Sequence, residues 1–82
     1  MNFYVYVLYS SRFDQIYIGY SHDVQTRFLS HNELATKGWT IRFRPWSLIH
    51  QEGFQTKTQA MKREKELKSA QGREWIRNNL LP

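Results

Sequence analysis

The chain has 82 residues, a formal net charge of +5 at pH 7, 16% aromatic side chains and no cysteine. This length predicts a single domain over residues 1–82, and the lack of cysteine excludes disulfides, a thiolate zinc site and a cysteine nucleophile. No apolar run approaches the roughly 20 residues of a membrane span, and no signal-peptide pattern opens the chain, so we expect a cytoplasmic protein.

Two strand-like segments at the start of the chain predict a β-hairpin. Alternate side chains share a face in residues 2–10 and again in residues 15–20, and a short turn separates the two segments. In such a hairpin Tyr6 and Tyr17 become direct or diagonal neighbours, depending on the register. Gly19 adds no side chain beside them, which leaves room for a ligand. An aromatic pair that only packs the sheet fits the same pattern.

A helix is predicted after the hairpin, over residues 22–35. Ser21 is its candidate N-cap, and Asp23 lies in the first turn, where the helix dipole favours a carboxylate. Arg27 and His31 are four residues apart and are therefore neighbours on the helix surface. The competing interpretations are a salt bridge between Arg27 and Asp23 and a purely structural histidine.

The second half of the chain predicts a loop, a strand and two helices, over residues 36–45, 46–51, 56–70 and 74–80. Thr56 and Gln59 resemble a capping box that opens the longer helix, and Gly72 breaks that helix. The whole chain then has the element order β-β-α-β-α-α, which is that of an α+β protein.

Glu64 is predicted to point inward from the longer helix. Spacings of four, three and four residues place four side chains on one face, namely Ala60, Glu64, Leu67 and Gln71. A carboxylate between alanine and leucine is costly unless it meets a cation, a metal ion or hydrogen-bond donors. The alternative is a partly exposed Glu64 paired with Lys68 four residues later.

The basic residues are concentrated in the second half of the sequence. Residues 1–36 carry a net charge of −1 and residues 37–82 a net charge of +6. This asymmetry suits a polyanionic partner, because lysine and arginine supply sequence-independent contacts to phosphate. A solvated helix face with excess lysine gives the same composition, so charge alone leaves both interpretations open.

Five sequence elements, in order, resemble those of the GIY-YIG nuclease family. They are Tyr4-Val5-Tyr6, Tyr17-Ile18-Gly19, Asp23-Val24-Gln25-Thr26-Arg27, Arg27-x-x-x-His31 and the helical run from Ala60 to Lys68. Tyr4 stands where the family often has glycine. The resemblance spans a whole minimal domain, similar to the nuclease part of the excinuclease C subunit and to small stand-alone relatives. It implies the GIY-YIG fold, a small three-stranded antiparallel sheet flanked by helices.

The resemblance also implies a function, that of a divalent-metal-dependent endonuclease that hydrolyses DNA phosphodiester bonds in repair or processing. Glu64 matches the carboxylate that binds Mg²⁺ or Mn²⁺, and Tyr6 matches the usual general-base candidate. Arg27 would stabilise charge on the phosphate, because its guanidinium is planar and always charged. Tyr17 would donate a hydrogen bond to phosphate or water, and His31 would relay a proton.

Substrate contacts are predicted in the loop of residues 36–45, for four residues: Lys37, Trp39, Arg42 and Arg44. An aromatic ring among arginines can stack on an unpaired base while guanidinium groups hold phosphate. In the opposing interpretation Trp39, Phe43 and Trp46 simply anchor the loop to the core, and for Trp46 we prefer it. The alternative function is a non-catalytic nucleic-acid-binding module that keeps the fold and depends on a protein partner for targeting. The sequence leaves open whether the target is duplex, branched or nicked DNA, or RNA.

Overall fold

Three antiparallel strands and flanking helices form the structure, a computed structural model that describes residues 2–81. In chain order the elements are β1 (Phe3–Ser10), β2 (Gln15–Ser21), α1 (Val24–Leu29), a π-helical turn (Ser30–Leu34), a 3₁₀ helix (Trp39–Phe43), β3 (Ser47–Phe54), α2 (Lys57–Lys68) and α3 (Ala70–Asn79). The predicted α+β class and the predicted order of strands and α-helices are confirmed. No helix within residues 2–81 has the length and apolar character needed to cross a membrane.

The central strand β1 pairs with β2 on one side and with β3 on the other. In the β1–β2 hairpin Tyr6 lies opposite Gly19, and Leu8 lies opposite Tyr17. The two phenols are therefore diagonal neighbours, with ring centroids 6.2 Å apart. A Cβ atom at Gly19 would lie 2.6 Å from the Tyr6 hydroxyl oxygen. The Tyr6 ring thus fills the space that a side chain at residue 19 would take. Gly19 also lines a surface cleft beside the two tyrosines, so room for a ligand there stays a prediction.

Both faces of β1 are buried, and its alternate residues enter two different cores. Val5 and Val7 pack with residues of α2 and α3, whereas Tyr6 and Leu8 pack with the start of α1 and with Trp46. All four of these β1 side chains are at most 1% exposed. A strand covered on both faces tends to be a continuous apolar run, which explains why both alternating sets of β1 are large and mostly apolar.

Strand β3 runs over Ser47–Phe54, whereas the sequence predicted a strand over residues 46–51. Its final residues pair with the start of β1, with Phe3 opposite Phe54 and Tyr4 opposite Gly53. Polar residues and a glycine at this end obscured the strand pattern. Backbone pairing with β1 therefore sets the length of β3 more than its own apolar periodicity does.

Helix α1 begins later than predicted, and its N-cap is Asp23 rather than Ser21. A carboxylate oxygen of Asp23 accepts a hydrogen bond from the backbone N–H of Thr26 at 3.1 Å. The hydroxyl of Ser21 accepts instead from the backbone N–H of Asp23, at 2.9 Å. The sequence predicted Asp23 within the first turn, but it lies one position before that turn, as the N-cap. After Leu29 the helix continues as the π-helical turn, so the predicted single helix is two elements.

The segment predicted as an exposed loop contains the 3₁₀ helix and is held against the sheet. Arg44 donates hydrogen bonds at 2.7, 3.1 and 2.8 Å to the carbonyl oxygens of His31, Ser30 and Ala35. Trp46 is buried and donates its indole N–H to the Thr40 carbonyl at 2.8 Å. The prediction of an exposed loop is therefore wrong at its centre, because these bonds tie it to the π-helical turn and to the core.

The boundary between α2 and α3 lies at Ser69, whereas the sequence predicted a helix to about Ala70 and a break at Gly72. The capping box of Thr56 and Gln59 that opens α2 is confirmed. Ser69 ends α2 and caps α3, accepting a hydrogen bond from the Gly72 N–H at 3.1 Å. Gly72 thus lies inside α3, where its missing side chain lets the two helices pack backbone to backbone.

We predict that Gly72→Ala destabilises the fold, although alanine is the better helix former by about 1 kcal/mol. The added Cβ would lie 2.2 Å from the carbonyl oxygen of Glu66 and 2.5 Å from Cα of Leu67. Neither backbone atom moves easily, so the free energy of unfolding should fall by about 1–3 kcal/mol in a urea titration. The exposed neighbour Gln71→Ala should change it by less than about 0.5 kcal/mol. A stabilised Gly72→Ala variant would contradict the packing.

Candidate active site

A cleft of about 670 Å³ opens between the β1–β2 hairpin, the start of α1 and one side of α2. Four of the residues predicted for catalysis line it, namely Tyr6, Tyr17, Arg27 and Glu64. The fifth, His31, lies behind them, and its Nε2 is 3.1 Å from the Tyr6 hydroxyl oxygen. Five side chains that span most of the sequence are thus brought together at one site.

Tyr6 occupies the most buried position of the site, in the middle of the central strand. Burial, and after it the neighbouring Tyr17, raise the pKa of the Tyr6 phenol well above its ordinary value. Arg27 opposes this shift, because its positive charge favours the phenolate. The phenol is therefore protonated at neutral pH and available to donate a hydrogen bond.

His31 is held between Tyr6 and Thr40 by hydrogen bonds at its two ring nitrogens. Its Nε2 faces the Tyr6 hydroxyl, and its Nδ1 is 3.1 Å from Thr40 Oγ1. Burial, and after it the charges of Arg27 and Arg44, lower the pKa of His31. The imidazole is therefore neutral at neutral pH. With the proton on Nδ1, donated to Thr40, Nε2 is free to accept the hydroxyl proton of Tyr6.

Tyr17 packs on the imidazole of His31, with ring centroids 4.4 Å apart. On another side its ring meets Trp46, at a centroid distance of 6.4 Å. Both tyrosines line the cleft, but Tyr6 is buried whereas Tyr17 is only partly buried. It therefore holds the histidine ring in place and also faces any molecule in the cleft.

Arg27 is exposed at the cleft and has no acidic partner within 4.0 Å among residues 2–81. The alternative of a salt bridge with Asp23 is not borne out. The Asp23 carboxylate instead caps α1, accepting from the backbone N–H and the hydroxyl of Thr26 at 3.1 and 2.7 Å. The guanidinium of Arg27 is thus left to interact with an anion in the cleft.

Glu64 lines the cleft with a side chain that is 19% exposed. It also forms the alternative pair with Lys68, at 3.5 Å between Oε1 and Nζ. This contact is a single, long one to a half-exposed lysine, so it is a weak restraint on the carboxylate. Glu64 therefore has both of the environments that the sequence suggested.

The donor set of the cleft fits Mg²⁺ or Mn²⁺ held by few protein ligands. Residues 2–81 contain no group of three or more histidine, aspartate or glutamate side chains placed to bind one ion. Magnesium commonly takes one or two carboxylates and keeps several waters, so Glu64 in an open cleft suffices chemically. A site built entirely from protein ligands does not fit these residues.

The residues predicted to bind nucleic acid lie outside the cleft lining. Lys37, Trp39 and Arg42 are exposed, and Trp39 packs on Trp46 at a ring-centroid distance of 5.9 Å. Arg44 differs from them, because its guanidinium donates to three backbone carbonyls. Its contacts favour a structural role over phosphate binding. The buried Trp46 agrees with the interpretation that it anchors this segment.

The sequence did not single out two residues that the structure places at the site, Thr40 and Lys57. Thr40 is 7% exposed and orients His31, but it lies in a segment predicted to be an exposed loop. Nothing local to the sequence identified it. Lys57 lines the cleft from the first turn of α2, seven residues before Glu64. That spacing puts both on one helix face, so the helical repeat from Glu64 was a usable signal.

An α+β fold that pairs two tyrosines with an arginine and a glutamate in one cleft is that of a small nuclease-type domain. The profile of the GIY-YIG catalytic domain matches residues 2–78, and the chain belongs to this family. The membership implies nuclease ancestry and a nucleic-acid partner, and GIY-YIG nucleases generally use divalent metal ions.

Small bacterial proteins resemble the chain over most of its length. It is 36% identical over 66 residues to a UPF0213 protein of Staphylococcus saprophyticus, which covers 80% of this chain and 79% of the relative. A UPF0213 protein of Staphylococcus epidermidis is 41% identical over 54 residues, 66% of each chain. The solution NMR structure of a UPF0213 protein from Bacillus halodurans superposes with a TM-score of 0.56 at 31% identity, covering 95% of this chain and 84% of that one.

We predict that the pKa of His31 lies below the ordinary histidine value of about 6.5. An NMR titration of its Cε1 proton measures this pKa. Arg27→Ala should raise it, because the variant removes a positive charge that opposes the imidazolium. Arg12→Ala, at the β1–β2 turn, should leave it unchanged. A His31 pKa above the ordinary value would contradict the buried, neutral imidazole.

The lowered pKa of His31 also determines how protein stability depends on pH. The unfolded chain binds this proton at a higher pH than the folded protein does. The contribution of His31 to stability is therefore present above about pH 6.5 and decreases as the pH falls through the lowered pKa.

Proposed function

We propose that the protein is a divalent-metal-dependent DNA endonuclease that acts in DNA repair or processing. The observation that supports this most is the convergence of Tyr6, Tyr17, Arg27 and Glu64 on one cleft. Hydrolysis of a phosphodiester needs an activated water, stabilisation of charge on the phosphate and stabilisation of the leaving oxygen. The activated water and the charge on the phosphate each have candidate groups in or next to the cleft.

Glu64 would hold the metal ion, Mg²⁺ or Mn²⁺, at the wall formed by α2. When bound, the ion supplies positive charge to the phosphate and lowers the pKa of coordinated water. Arg27, across the cleft on α1, would bind the non-bridging phosphate oxygens with its planar guanidinium. Because no acidic side chain within residues 2–81 occupies that guanidinium, binding phosphate would cost no existing ion pair.

Tyr6 and His31 would together remove the proton from the attacking water. The raised pKa of Tyr6 disfavours a free phenolate, so direct deprotonation of the phenol at neutral pH is a costly route. In a relay, the Tyr6 oxygen takes the water proton as its own proton passes to Nε2 of His31, 3.1 Å away. The lowered pKa of His31 keeps that nitrogen unprotonated and ready to accept. Tyr17 would bind phosphate or water at the mouth of the cleft.

A second candidate is a non-catalytic nucleic-acid-binding module that depends on a protein partner. The ion pair between Glu64 and Lys68 favours it, because a carboxylate with a purely structural role would make that contact. In this case Lys37, Trp39 and Arg42 would still contact nucleic acid, but the cleft would carry out no reaction. The two candidates differ in what the removal of a single charge at Glu64 does.

We predict that Glu64→Gln abolishes cleavage of labelled plasmid, flap and junction DNA in Mg²⁺ or Mn²⁺. The amide keeps the shape of the side chain but is a poor metal ligand, and the lost negative charge should preserve or strengthen DNA binding. Glu66→Gln, on the exposed side of the same helix, is the matched control and should cut normally. A Glu64→Gln variant that cuts at the wild-type rate would remove Glu64 from the mechanism. Wild-type protein that binds all three substrates and cuts none would favour the binding module.

We predict that Tyr6→Phe lowers the single-turnover cleavage rate by on the order of 10²-fold or more, the usual loss for a positioned acid–base group. Tyr17→Phe should cause a smaller loss, since its hydroxyl does not carry the proton in the proposed relay from Tyr6 to His31. Tyr4→Phe is the control, because Tyr4 packs in the same core from the same strand but does not line the cleft. Equal cleavage rates for Tyr6→Phe and Tyr4→Phe would mean that Tyr6 and Tyr17 only pack the sheet.

A further inference from the structure

A continuous row of aromatic rings leads from the cleft to the protein surface. Tyr17, which lines the cleft, is 6.4 Å from Trp46 between ring centroids, and Trp46 is 5.9 Å from Trp39. Trp39 in turn is 4.6 Å from Phe43, and Phe43 is 5.6 Å from Phe13. These five rings, the aromatic row, join the β1–β2 turn, the 3₁₀ helix and the cleft.

The outer end of the aromatic row faces solvent, whereas its centre is fixed in the fold. Trp39 is 46% exposed and Phe13 is 41% exposed. Trp46 is buried and donates its indole N–H to the backbone of the 3₁₀ helix, and Arg44 ties the far end of that segment to the π-helical turn. Single exposed aromatics are common on protein surfaces. Both exposed rings pack on Phe43, at interplanar angles of 76° for Phe13 and 51° for Trp39, so the fold holds each of them in place at the surface.

The charges around this surface are positive. The guanidinium carbon of Arg12 lies 5.4 Å above the centroid of the Phe13 ring. Arg42 is exposed in the same 3₁₀ helix as Trp39. Asp14, which follows Phe13, is already paired with Arg77 at 2.9 Å. Among residues 2–81 neither Arg12 nor Arg42 has an acidic partner within 4.0 Å, and each lies next to an exposed ring or in the same short helix, a combination that suits a ligand with flat rings and negative charge.

We propose that Phe13 and Trp39 bind unpaired nucleobases by stacking and so lead a single-stranded segment of nucleic acid into the cleft. In a duplex each base face is covered by its neighbours, and only base edges and the backbone are accessible. An unpaired base offers its face to an aromatic ring, while arginine side chains contact the adjacent phosphates. This inference rests on the proposed nuclease function and deepens it, because it makes a single-stranded segment part of the substrate.

The test compares the binding of a fluorescent 15-nucleotide oligothymidylate and of a 15-base-pair duplex by anisotropy. The measurements use a chelator to prevent cleavage, and the variants are Phe13→Leu and Trp39→Leu. Leucine keeps apolar volume for packing on Phe43 but removes the ring face. Each variant should bind the single strand at least about fivefold more weakly. Binding of the duplex should change by less than twofold. Thermal unfolding checks that both variants fold.

Trp75→Leu is the matched control. Trp75 is an exposed tryptophan of α3, which packs on the opposite face of the sheet, where it contacts His50 and Arg63. This variant should bind both probes as the wild type does. In a second readout, oligothymidylate should quench the tryptophan fluorescence of the wild type and of Trp75→Leu, and Trp39→Leu should lose most of that quenching.

Three results would overturn the stacking surface. In the first, the leucine variants bind the single strand with wild-type affinity. In the second, they lose affinity for the duplex and for the single strand equally, as contacts in a groove or a wedge between base pairs would require. In the third, sedimentation shows a wild-type dimer that Phe13→Leu converts to a monomer, which would mean that a second copy covers the rings.

Cleavage assays keep this inference separate from the proposed function. If the protein binds the single strand by stacking but cleaves no substrate, only the proposed reaction is refuted. If it cleaves duplex DNA at a rate that does not depend on Phe13 and Trp39, only the stacking is refuted.

Discussion

The hydroxyl group of Tyr6 is a polar group at the centre of the fold, and its need for a hydrogen-bond partner constrains much of the structure. A buried hydroxyl without a partner costs about 1–3 kcal/mol, a large share of the stability of a chain of this size. His31 is a partner for this hydroxyl, and it reaches Tyr6 from the π-helical turn that follows α1. His31 in turn requires a partner for Nδ1, and Thr40 provides it. A chain of three polar side chains thus links the central strand to the segment before β3.

The electrostatics of the site follow from the same burial. Taking the Tyr6 phenol and the His31 imidazole out of water favours the uncharged form of each, which raises the pKa of one and lowers the pKa of the other. The positive charge of Arg27 lowers the pKa of both groups, because it disfavours the imidazolium of His31 and favours the phenolate of Tyr6. The charged groups, Arg27 and Glu64, lie at the open side of the cleft where water still reaches them. The site therefore has an uncharged interior and a charged entrance.

Much of this arrangement could be predicted from the sequence, because its determinants are local. The hairpin follows from two alternating segments and a turn, so the Tyr6–Tyr17 contact needed only the register. The inward position of Glu64 follows from the helical repeat, and the start of α2 from the capping box. The remaining features depend on contacts between elements. Arg44 looked like a phosphate ligand in a loop, but two carbonyl oxygens of the π-helical turn and that of Ala35 just after it accept its hydrogen bonds.

The roles of Gly72 and Thr40 could not be predicted from the sequence either. Gly72 looked like a helix breaker, because sequence alone does not reveal that the backbone of α2 lies where its Cβ would be. Thr40 gave no signal, since its partner lies nine residues away across an irregular segment. Where a side chain acts through a single non-local contact, periodicity and spacing have nothing to detect.

Thr40 has a further consequence, because it makes two contacts with different parts of the molecule. Its hydroxyl meets Nδ1 of His31, and its carbonyl accepts the indole N–H of Trp46. A movement of the 3₁₀ helix would therefore act on both contacts. Any ligand that moves this helix would change the proton affinity of the histidine, and by thermodynamic linkage protonation of the histidine would change the affinity for that ligand to the same extent. Thr40 would thus couple ligand binding at the 3₁₀ helix to the protonation equilibrium of His31.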